Sequence, residues 1–124
     1  MEYVAETLKP EFVVMLGDNF YGSGIHGSEY DPRFQKTFEN VYNGSYLETI
    51  PFYAIAGNHD HGGNVSAQIG YSKHSKRWKY PDWWHSHEVR GLVALAASVP
   101  YPYRCVSLTF LARTRSSSSS SLTL

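Results

Sequence analysis

The sequence predicts an α/β fold, because short apolar runs alternate with segments of helical pattern. Residues 12–16 ("FVVML") and residues 51–56 ("PFYAIA") are continuous apolar runs, and each ends at a glycine followed by polar residues. Apolar runs of this length without alternation are typical of strands buried on both faces of a parallel sheet. If the two strands are parallel neighbours, the polar residues after them lie side by side.

Three segments have a helical pattern. The first, residues 4–8, is ended by Pro10. Asp31 followed by Pro32 is a typical helix start. The apolar stripe that follows it, at spacings i, i+4 and i+7, consists of Phe34, Phe38 and Val41. Residues 65–78 are predicted to be partly helical. Their solvated basic side chains are expected to be Lys73, Lys76 and Arg77.

Residues 82–124 are expected to be an irregular C-terminal tail. They show no sustained period of 2 or 3.6 and end in a run of six serines, which is typical of poorly ordered sequence. We therefore divide the chain into a partial domain over 1–81 and an unrelated tail over 82–124. The lone Cys105 allows no internal disulfide.

Charge and hydropathy give little support for large anionic partners. The formal net charge is zero, so we expect neither nucleic acid nor a membrane as a partner. A nucleic-acid role for the basic second half would rest on charge alone. The longest apolar stretch, residues 91–111, is interrupted by prolines and an arginine, and the opening "MEYVAETLKP" lacks the apolar core of a signal peptide. The sequons at Asn43 and Asn64 permit glycosylation, although chance explains them equally well.

Two polar clusters follow the predicted strands and form a candidate metal site. Asp18 could bridge two cations through its carboxylate, and Asn58 could offer a carbonyl oxygen to one of them. Tyr21 could bind a trivalent iron through its phenolate. Each cluster alone is also compatible with an ordinary turn, but the occurrence of both at strand ends favours a metal site.

The second cluster also carries a candidate catalytic residue, His59. An imidazole titrates in the range needed to protonate a leaving group. Asp60 is expected to stand behind the metal site and hold that imidazole in one orientation. Gly17 and Gly57 are expected to let the backbone turn sharply, so that the two clusters face each other.

Two stretches make the chain resemble a known family. "GDNFYGSG" (17–24) and "AGNHDHGGNVSAQIGYSKHSKRW" (56–78) are similar to purple acid phosphatases, nearest to the tartrate-resistant (type 5) kind, within the calcineurin-like metallophosphoesterase superfamily. The resemblance covers residues 1–81. It implies part of a metallophosphoesterase-type β-sandwich flanked by helices. It also implies acid phosphatase activity on phosphate monoesters, and a secreted or lysosomal location.

The same resemblance implies a cofactor and residue roles. The cofactor is a binuclear centre of Fe(III) and a divalent metal (Fe, Zn or Mn). Asp18 would bridge the two metals, Tyr21 would bind the ferric ion, and Asn58 would bind the divalent ion. His59 would contact the substrate phosphate and assist the leaving group. The sequence predicts neither the oligomeric state nor the natural substrate.

The chain also departs from the family pattern. The family uses seven protein ligand positions, and this sequence matches three of them: Asp18, Tyr21 and Asn58. The pair in "WWHSHEV", His85 and His87, lacks the preceding glycine and the expected spacing, so we do not assign it to metal binding. No ligand role is assigned to the remaining histidines, His26, His61 and His74. A catalytically inactive, truncated fragment of such an enzyme is therefore the alternative hypothesis.

Overall fold

A computed structural model of the chain describes residues 1–89, 92–98 and 106–112. Its elements in chain order are α1 (Glu2–Leu8), β1 (Val13–Met15), a π-helix (Phe34–Glu39), a 3-10 turn (Leu47–Thr49), β2 (Phe52–Ala54), a second 3-10 turn (Asp60–Gly62), α2 (Val65–Tyr71), β3 (Trp78–Lys79), β4 (Trp84–Val89), β5 (Leu92–Ser98) and β6 (Val106–Ala112).

The first three strands form a parallel sheet in the order β1-β2-β3. Val13 pairs with Phe52, and Phe52 pairs with Trp78 in the next strand. This arrangement confirms the predicted α/β fold, including the parallel neighbours β1 and β2. Because the strands are parallel, their carboxyl ends lie along one edge of the sheet, which is where ligands gather in folds of this class.

The core beneath this sheet is mainly aromatic. Its central side chains, each at most 1% exposed, are Phe20, Phe34, Phe38, Phe52 and Trp78. The Phe38 ring lies 5.0 Å from that of Trp78 and 5.2 Å from that of Phe52, both edge to face. Edge-to-face pairs contribute about 0.5–1.5 kcal/mol beyond burial of their area. The rings thus join the sheet to the helices packed on it.

The helix after Asp31 begins as predicted but is wound more widely. The Asp31 carboxylate accepts a hydrogen bond from the Arg33 N–H (2.8 Å), as a helix cap does. The Asn40 N–H then donates to the carbonyl five residues earlier, which is the spacing of a π-helix. Consequently Val41 is turned out and is 57% exposed. Tyr42 packs on the core instead, with its ring 5.2 Å from that of Phe52.

Helix α2 ends at Tyr71, earlier than the predicted end at residue 78. The Ser75 hydroxyl accepts hydrogen bonds from the N–H groups of Arg77 (3.2 Å) and Trp78 (3.1 Å), which directs the chain into β3. Arg77, predicted to be solvated, is only 8% exposed and forms an ion pair with Glu39. The periodicity did not reveal this partner, because Glu39 belongs to a different helix.

Three further strands lie in the segment expected to be irregular. β4, β5 and β6 form an antiparallel sheet, with Trp84 opposite Ala97 and Leu92 opposite Ala112. Residues 82–124 show no sustained hydrophobic period because the β4 sequence is largely polar while that of β5 is largely apolar. These strands are defined by hydrogen bonds between backbone groups, which depend little on the identity of the side chains. The serine run lies outside the described residues, and the boundary at residue 81 stays a prediction.

β4 contacts the parallel sheet through its two histidines. The His85 ring lies 3.0 Å from the Ala54 carbonyl oxygen, measured from Nε2, and the His87 ring lies 4.1 Å from that of Tyr53. Burial raises the pKa of Tyr53. In the part of the chain that the structure describes, no helix is long and apolar enough to cross a membrane.

Candidate functional site

The carboxyl end of β1 has an unusual backbone. Gly17 has φ 95° and Asp18 has φ 53°, a left-handed conformation that costs a non-glycine residue about 1–3 kcal/mol. A Cβ on Gly17 would lie 2.6 Å from the backbone nitrogen of Gly57, so these two glycines are in direct backbone contact. Backbone strain of this kind concentrates at functional sites, and here it falls on a predicted metal ligand.

The Asp18 carboxylate joins the two predicted clusters. Its Oδ1 accepts a hydrogen bond from the His59 backbone N–H at 3.0 Å. A Cβ on Gly57 would overlap that same oxygen. The loops after β1 and β2 are therefore in contact, as the parallel arrangement predicted, and the half-buried Asp18 lies between them.

The His59 imidazole is held by a backbone carbonyl. Its Nδ1 lies 3.0 Å from the Gly22 oxygen. Because a carbonyl can only accept, Nδ1 carries the proton in this contact, and Nε2 remains to give or take one. The Tyr21 ring lies 5.0 Å from the His59 ring and is 68% exposed. The structure therefore brings Asp18, Tyr21 and His59 together, with the exposed Asn58 adjacent in the chain.

Asp60 is fully buried and organises the backbone of both loops. Its carboxylate accepts hydrogen bonds from the N–H groups of Asn19 (3.0 Å), Phe20 (3.1 Å) and Gly57 (2.8 Å) and from Nε2 of Gln68 (3.0 Å). The sequence predicted that Asp60 holds the His59 imidazole, but the carbonyl of Gly22 makes that contact. Asp60 instead supports the site by holding the loop that carries Asp18 against the loop that carries His59.

Two polar residues beneath the site were missed by the sequence analysis. Asn19 Nδ2 donates to the Ile55 carbonyl (2.8 Å) and to Oε1 of Gln68 (3.2 Å). Gln68 is fully buried although it lies on a helix. The sequence contained one signal of this burial: Gln68 lies three residues after the apolar Val65, and therefore on the same, inward face of α2. A polar residue on an inward face needs hydrogen-bond partners, and here Asn19 and Asp60 provide them.

The donor atoms fit part of a metal site. Carboxylate, phenolate and amide oxygens, from Asp18, Tyr21 and Asn58, suit hard cations such as Fe(III). Asn19 Oδ1 is buried and accepts no hydrogen bond from the described residues, so an acceptor beside Asp18 is left for a cation or a water molecule. Over the described ranges, however, no group of three His, Cys, Asp or Glu side chains is arranged to hold a metal ion.

The other histidines lie in separate surroundings. His85 and His87 contact β2, as described above, and the His74 ring lies 4.7 Å from that of Tyr30. Burial lowers the pKa of His61, and the charge of Asp60 partly offsets this effect. His26 lies in the loop after β1, with Nε2 2.6 Å from the Ser23 hydroxyl.

Comparison with known proteins gives a consistent result. Residues 1–115 match the profile of the calcineurin-like phosphoesterase family. The chain is 57% identical to mouse tartrate-resistant acid phosphatase type 5 over 76 residues, which are 61% of this chain and 23% of that protein. It is 54% identical to the human protein of the same name over 76 residues, with the same shares. It is 39% identical to Arabidopsis purple acid phosphatase 7 over 80 residues, which are 64% of this chain and 24% of that one.

A solved structure shares the fold. The solved protein, "GAP50 the anchor in the inner membrane complex of Plasmodium", superposes on this chain with a TM-score of 0.60 at 22% identity. The superposition covers 78% of this chain and 30% of that one. At this identity the likeness concerns the fold alone. The chain spans less than a quarter of the length of the two mammalian relatives.

Proposed function

The chain belongs to the calcineurin-like phosphoesterase family, and from this premise we propose that it acts as an acid phosphatase on phosphate monoesters. One observation supports the proposal above the others. Asp18 Oδ1 lies 3.0 Å from the backbone nitrogen of His59, at the edge where two parallel strands end side by side. A candidate metal ligand and a candidate proton donor are thus adjacent. The acid phosphatase names of the relatives support the same activity.

In this proposal three residues hold the metal ions. Asp18 would bridge the pair, Tyr21 would bind iron(III), and Asn58 would bind a divalent ion (iron, zinc or manganese). A bound pair of metals supplies positive charge that polarises the phosphoryl oxygens and activates water at modest pH. Asp18 lies half-buried between the two loops, and the Tyr21 and Asn58 side chains are exposed.

His59 handles the proton in this proposal. Its Nδ1–H is engaged by the Gly22 carbonyl, so Nε2 is the atom that contacts the phosphate and gives a proton to the leaving oxygen. Asp60 has a supporting role in this step. Its four hydrogen bonds keep the backbone on both sides of the site in place while the imidazole reacts.

A second candidate is an inactive form of the same site. It is favoured by the ligand count, since the described residues contain no group of three His, Cys, Asp or Glu side chains able to hold a metal. Metal affinity depends on the number of ligands and on a preformed geometry. This alternative predicts that the chain binds no iron and is loosely folded by circular dichroism.

We propose a secreted or lysosomal location from the family of the relatives alone. Sequons at Asn43 and Asn64, both exposed, are compatible with that route. Expression in animal cells behind a secretion signal, followed by enzymatic removal of N-linked glycans, tests whether these two sites are used. A loss of mass is expected, and an unchanged mass in the secreted chain would contradict glycosylation at Asn43 and Asn64.

Metal binding tests the proposed ligands directly. The chain refolded with iron(III) and zinc(II) is expected to retain iron and to show a visible absorption band, because phenolate bound to iron(III) absorbs visible light. Tyr21→Phe is expected to lose the band while keeping the fold, since this ring is 68% exposed. Tyr30→Phe, at a tyrosine that is 73% exposed, is the matched control and should keep the band. A band that survives Tyr21→Phe would rule out Tyr21 as the iron ligand.

A further inference from the structure

The loop after β1 carries a hydroxyl–imidazole pair that the proposed reaction does not use. The Ser23 hydroxyl lies 2.6 Å from Nε2 of His26, and both side chains are exposed. This distance is that of a strong hydrogen bond. A pair so arranged at the surface, beside a site for an anionic substrate, can contact part of that substrate.

The position of Ser23 is fixed by the loop that follows His59. A Cβ on Gly63 would lie 2.5 Å from the Ser23 carbonyl oxygen, and one on Gly62 would lie 3.2 Å from the Ser23 Cβ, so the two loops are closely packed here. Ser23 also directly follows Gly22, whose carbonyl holds the His59 ring. Ser23 is therefore next in the chain to the residue that orients the candidate proton donor, and its backbone is closely packed.

Arg33 adds positive charge behind the same loop. Its guanidinium donates to the carbonyls of Gly24 (2.5 Å) and Tyr21 (2.8 Å), the residues on either side of the Gly22–Ser23 segment. Among the described side chains, no carboxylate lies within ion-pair distance of this guanidinium. The nearby Asp31 carboxylate accepts from the Arg33 backbone N–H instead. The field of an unpaired arginine favours an anion at the loop.

The chemistry of the pair identifies what it would contact. When His26 carries two protons, Nε2–H donates to the Ser23 oxygen, and the Ser23 O–H is then free to donate to another acceptor. Together the pair presents a hydroxyl donor and a cationic ring, which suits an anionic oxygen. Tyr21, the proposed iron ligand, lies two residues before Ser23 in the same loop, and the carbonyl of Gly22 between them contacts the His59 ring. The pair would therefore lie next to the phosphoryl site and face the alcohol part of a bound ester.

We propose that Ser23 and His26 form a specificity-determining contact for phosphate monoesters whose alcohol carries an anionic group such as a carboxylate. The contact rests on the proposed phosphatase site and defines its substrate class. No bond is made or broken at Ser23 or His26. The pair discriminates by binding, and a ligand with a neutral alcohol leaves it unengaged.

Two small ligands of similar size test the contact. The affinities of 3-phosphonopropionate, which has a carboxylate, and of propylphosphonate, which has none, are measured by titration calorimetry with the full chain refolded with iron(III) and zinc(II). These phosphonates replace the ester oxygen with carbon, so the proposed reaction does not consume them during the titration. We expect 3-phosphonopropionate to bind about tenfold more tightly, the factor that one charge-assisted hydrogen bond provides.

Variants separate this contact from the phosphate site itself. His26→Gln and Ser23→Ala should each remove most of the preference and leave propylphosphonate binding within about twofold. His74→Gln, at an exposed histidine beside Tyr30, is the control and should change neither affinity. Circular dichroism and thermal unfolding verify that each variant is folded.

The outcomes are distinguishable. If both ligands bind equally to the unaltered chain, or if His26→Gln keeps the preference, the specificity contact is wrong and the phosphatase site stands. A fall in both affinities by the same factor in the variants would also overturn it. If neither ligand binds, the proposed phosphatase site fails, and the contact fails with it.

Discussion

The position of Asp18 depends on two glycines, Gly17 and Gly57, which have no Cβ atom. Gly17 and Gly57 touch backbone to backbone, and the space that a Gly57 side chain would need is taken by the Asp18 carboxylate. The left-handed Asp18 backbone is maintained because the His59 N–H binds its oxygen and Asp60 holds the following residues. The site geometry is therefore a consequence of close backbone approach as much as of the polar side chains.

Gly57→Ala tests this dependence on close approach. The new methyl would overlap the Asp18 carboxylate, so we expect a loss of about 1–3 kcal/mol in the free energy of unfolding, together with weaker metal binding. Urea unfolding and metal analysis measure the two effects. Gly22→Ala is the control: it is strained by φ 93° but meets no atom within 4 Å, so it should cost less and retain metal. A Gly57→Ala protein as stable as the parent would contradict the role of the contact.

The proximity of the candidate residues could be predicted from the sequence, but some of their contacts could not. Asp18, Tyr21, Asn58 and His59 belong to motifs that follow the predicted strands, and their chemical roles stay predictions. The carbonyl that orients His59 could not be found in this way, because every residue has a carbonyl and only the contact between two loops selects Gly22.

At the scale of elements, an ion pair connects the π-helix to β3. Arg77 binds Glu39 with both side chains largely buried, and it also donates to the carbonyls of Tyr42 and Leu47. Burial on its own would raise the pKa of Glu39. The hydrogen bonds from Ser75, Arg77 and Tyr71 outweigh it and lower that pKa below its ordinary value. The contact with Glu39 in turn adds to the effect of burial, which raises the pKa of Tyr71.

Arg77→Ala should be strongly destabilising. Removing one member of a buried pair leaves the other charge without compensation, which typically costs about 3–5 kcal/mol. It also removes the guanidinium donor from three carbonyls, those of Glu39, Tyr42 and Leu47. Denaturant unfolding measures the loss, and Lys76→Ala, at the exposed neighbouring base, is the control with an expected change of less than about 0.5 kcal/mol. A small loss for Arg77→Ala would show that the pair is not a main contact between these elements.

The same pair predicts a pH dependence of stability. The folded-state pKa of Glu39 lies below its ordinary value of 4.5, so its stabilising effect is complete above that pH and is lost as the pH falls through the folded-state value. Glu39→Gln should therefore reduce the loss of stability between about pH 5 and about pH 3. Thermal unfolding across this range measures it, with Glu48→Gln, at an exposed acid, as the control. An unchanged acid dependence in Glu39→Gln would contradict the assignment.

The helix with the π winding shows why element boundaries differ from the sequence pattern. A stripe of apolar residues at i, i+4 and i+7 assumes 3.6 residues per turn. The i+5 hydrogen bond of Asn40 changes the turn, and Tyr42 rather than Val41 then faces the core. The sequence predicted the start of the helix correctly, because the Asp31 cap is a local signal, but the winding depends on packing against Phe52 and Trp78.

At the scale of the whole molecule, the described residues form two sheets that meet through β2 and β4. The contacts of His85 with the Ala54 carbonyl and of His87 with Tyr53 place β4 beside the parallel sheet. β1 and β2 were predictable, since they are apolar runs that end at polar clusters, but β3 was not, because Trp78 belongs to the segment predicted to be helical. The antiparallel sheet was not predictable either, because backbone pairing of distant segments leaves little trace in local composition. The family match extends over residues 1–115 and includes the described strands of both sheets.

The most direct test of the account is hydrolysis of a chromogenic phosphate monoester at about pH 5. The chain refolded with iron(III) and zinc(II) is compared with Asp18→Asn, which keeps an acceptor for the His59 N–H but loses the negative charge. The account predicts hydrolysis by the unaltered chain and a loss of at least about 100-fold in the variant, as expected when a metal-bridging charge is removed. Equal rates in the two proteins, or no hydrolysis by either, would contradict the proposed phosphatase site and leave the family membership intact.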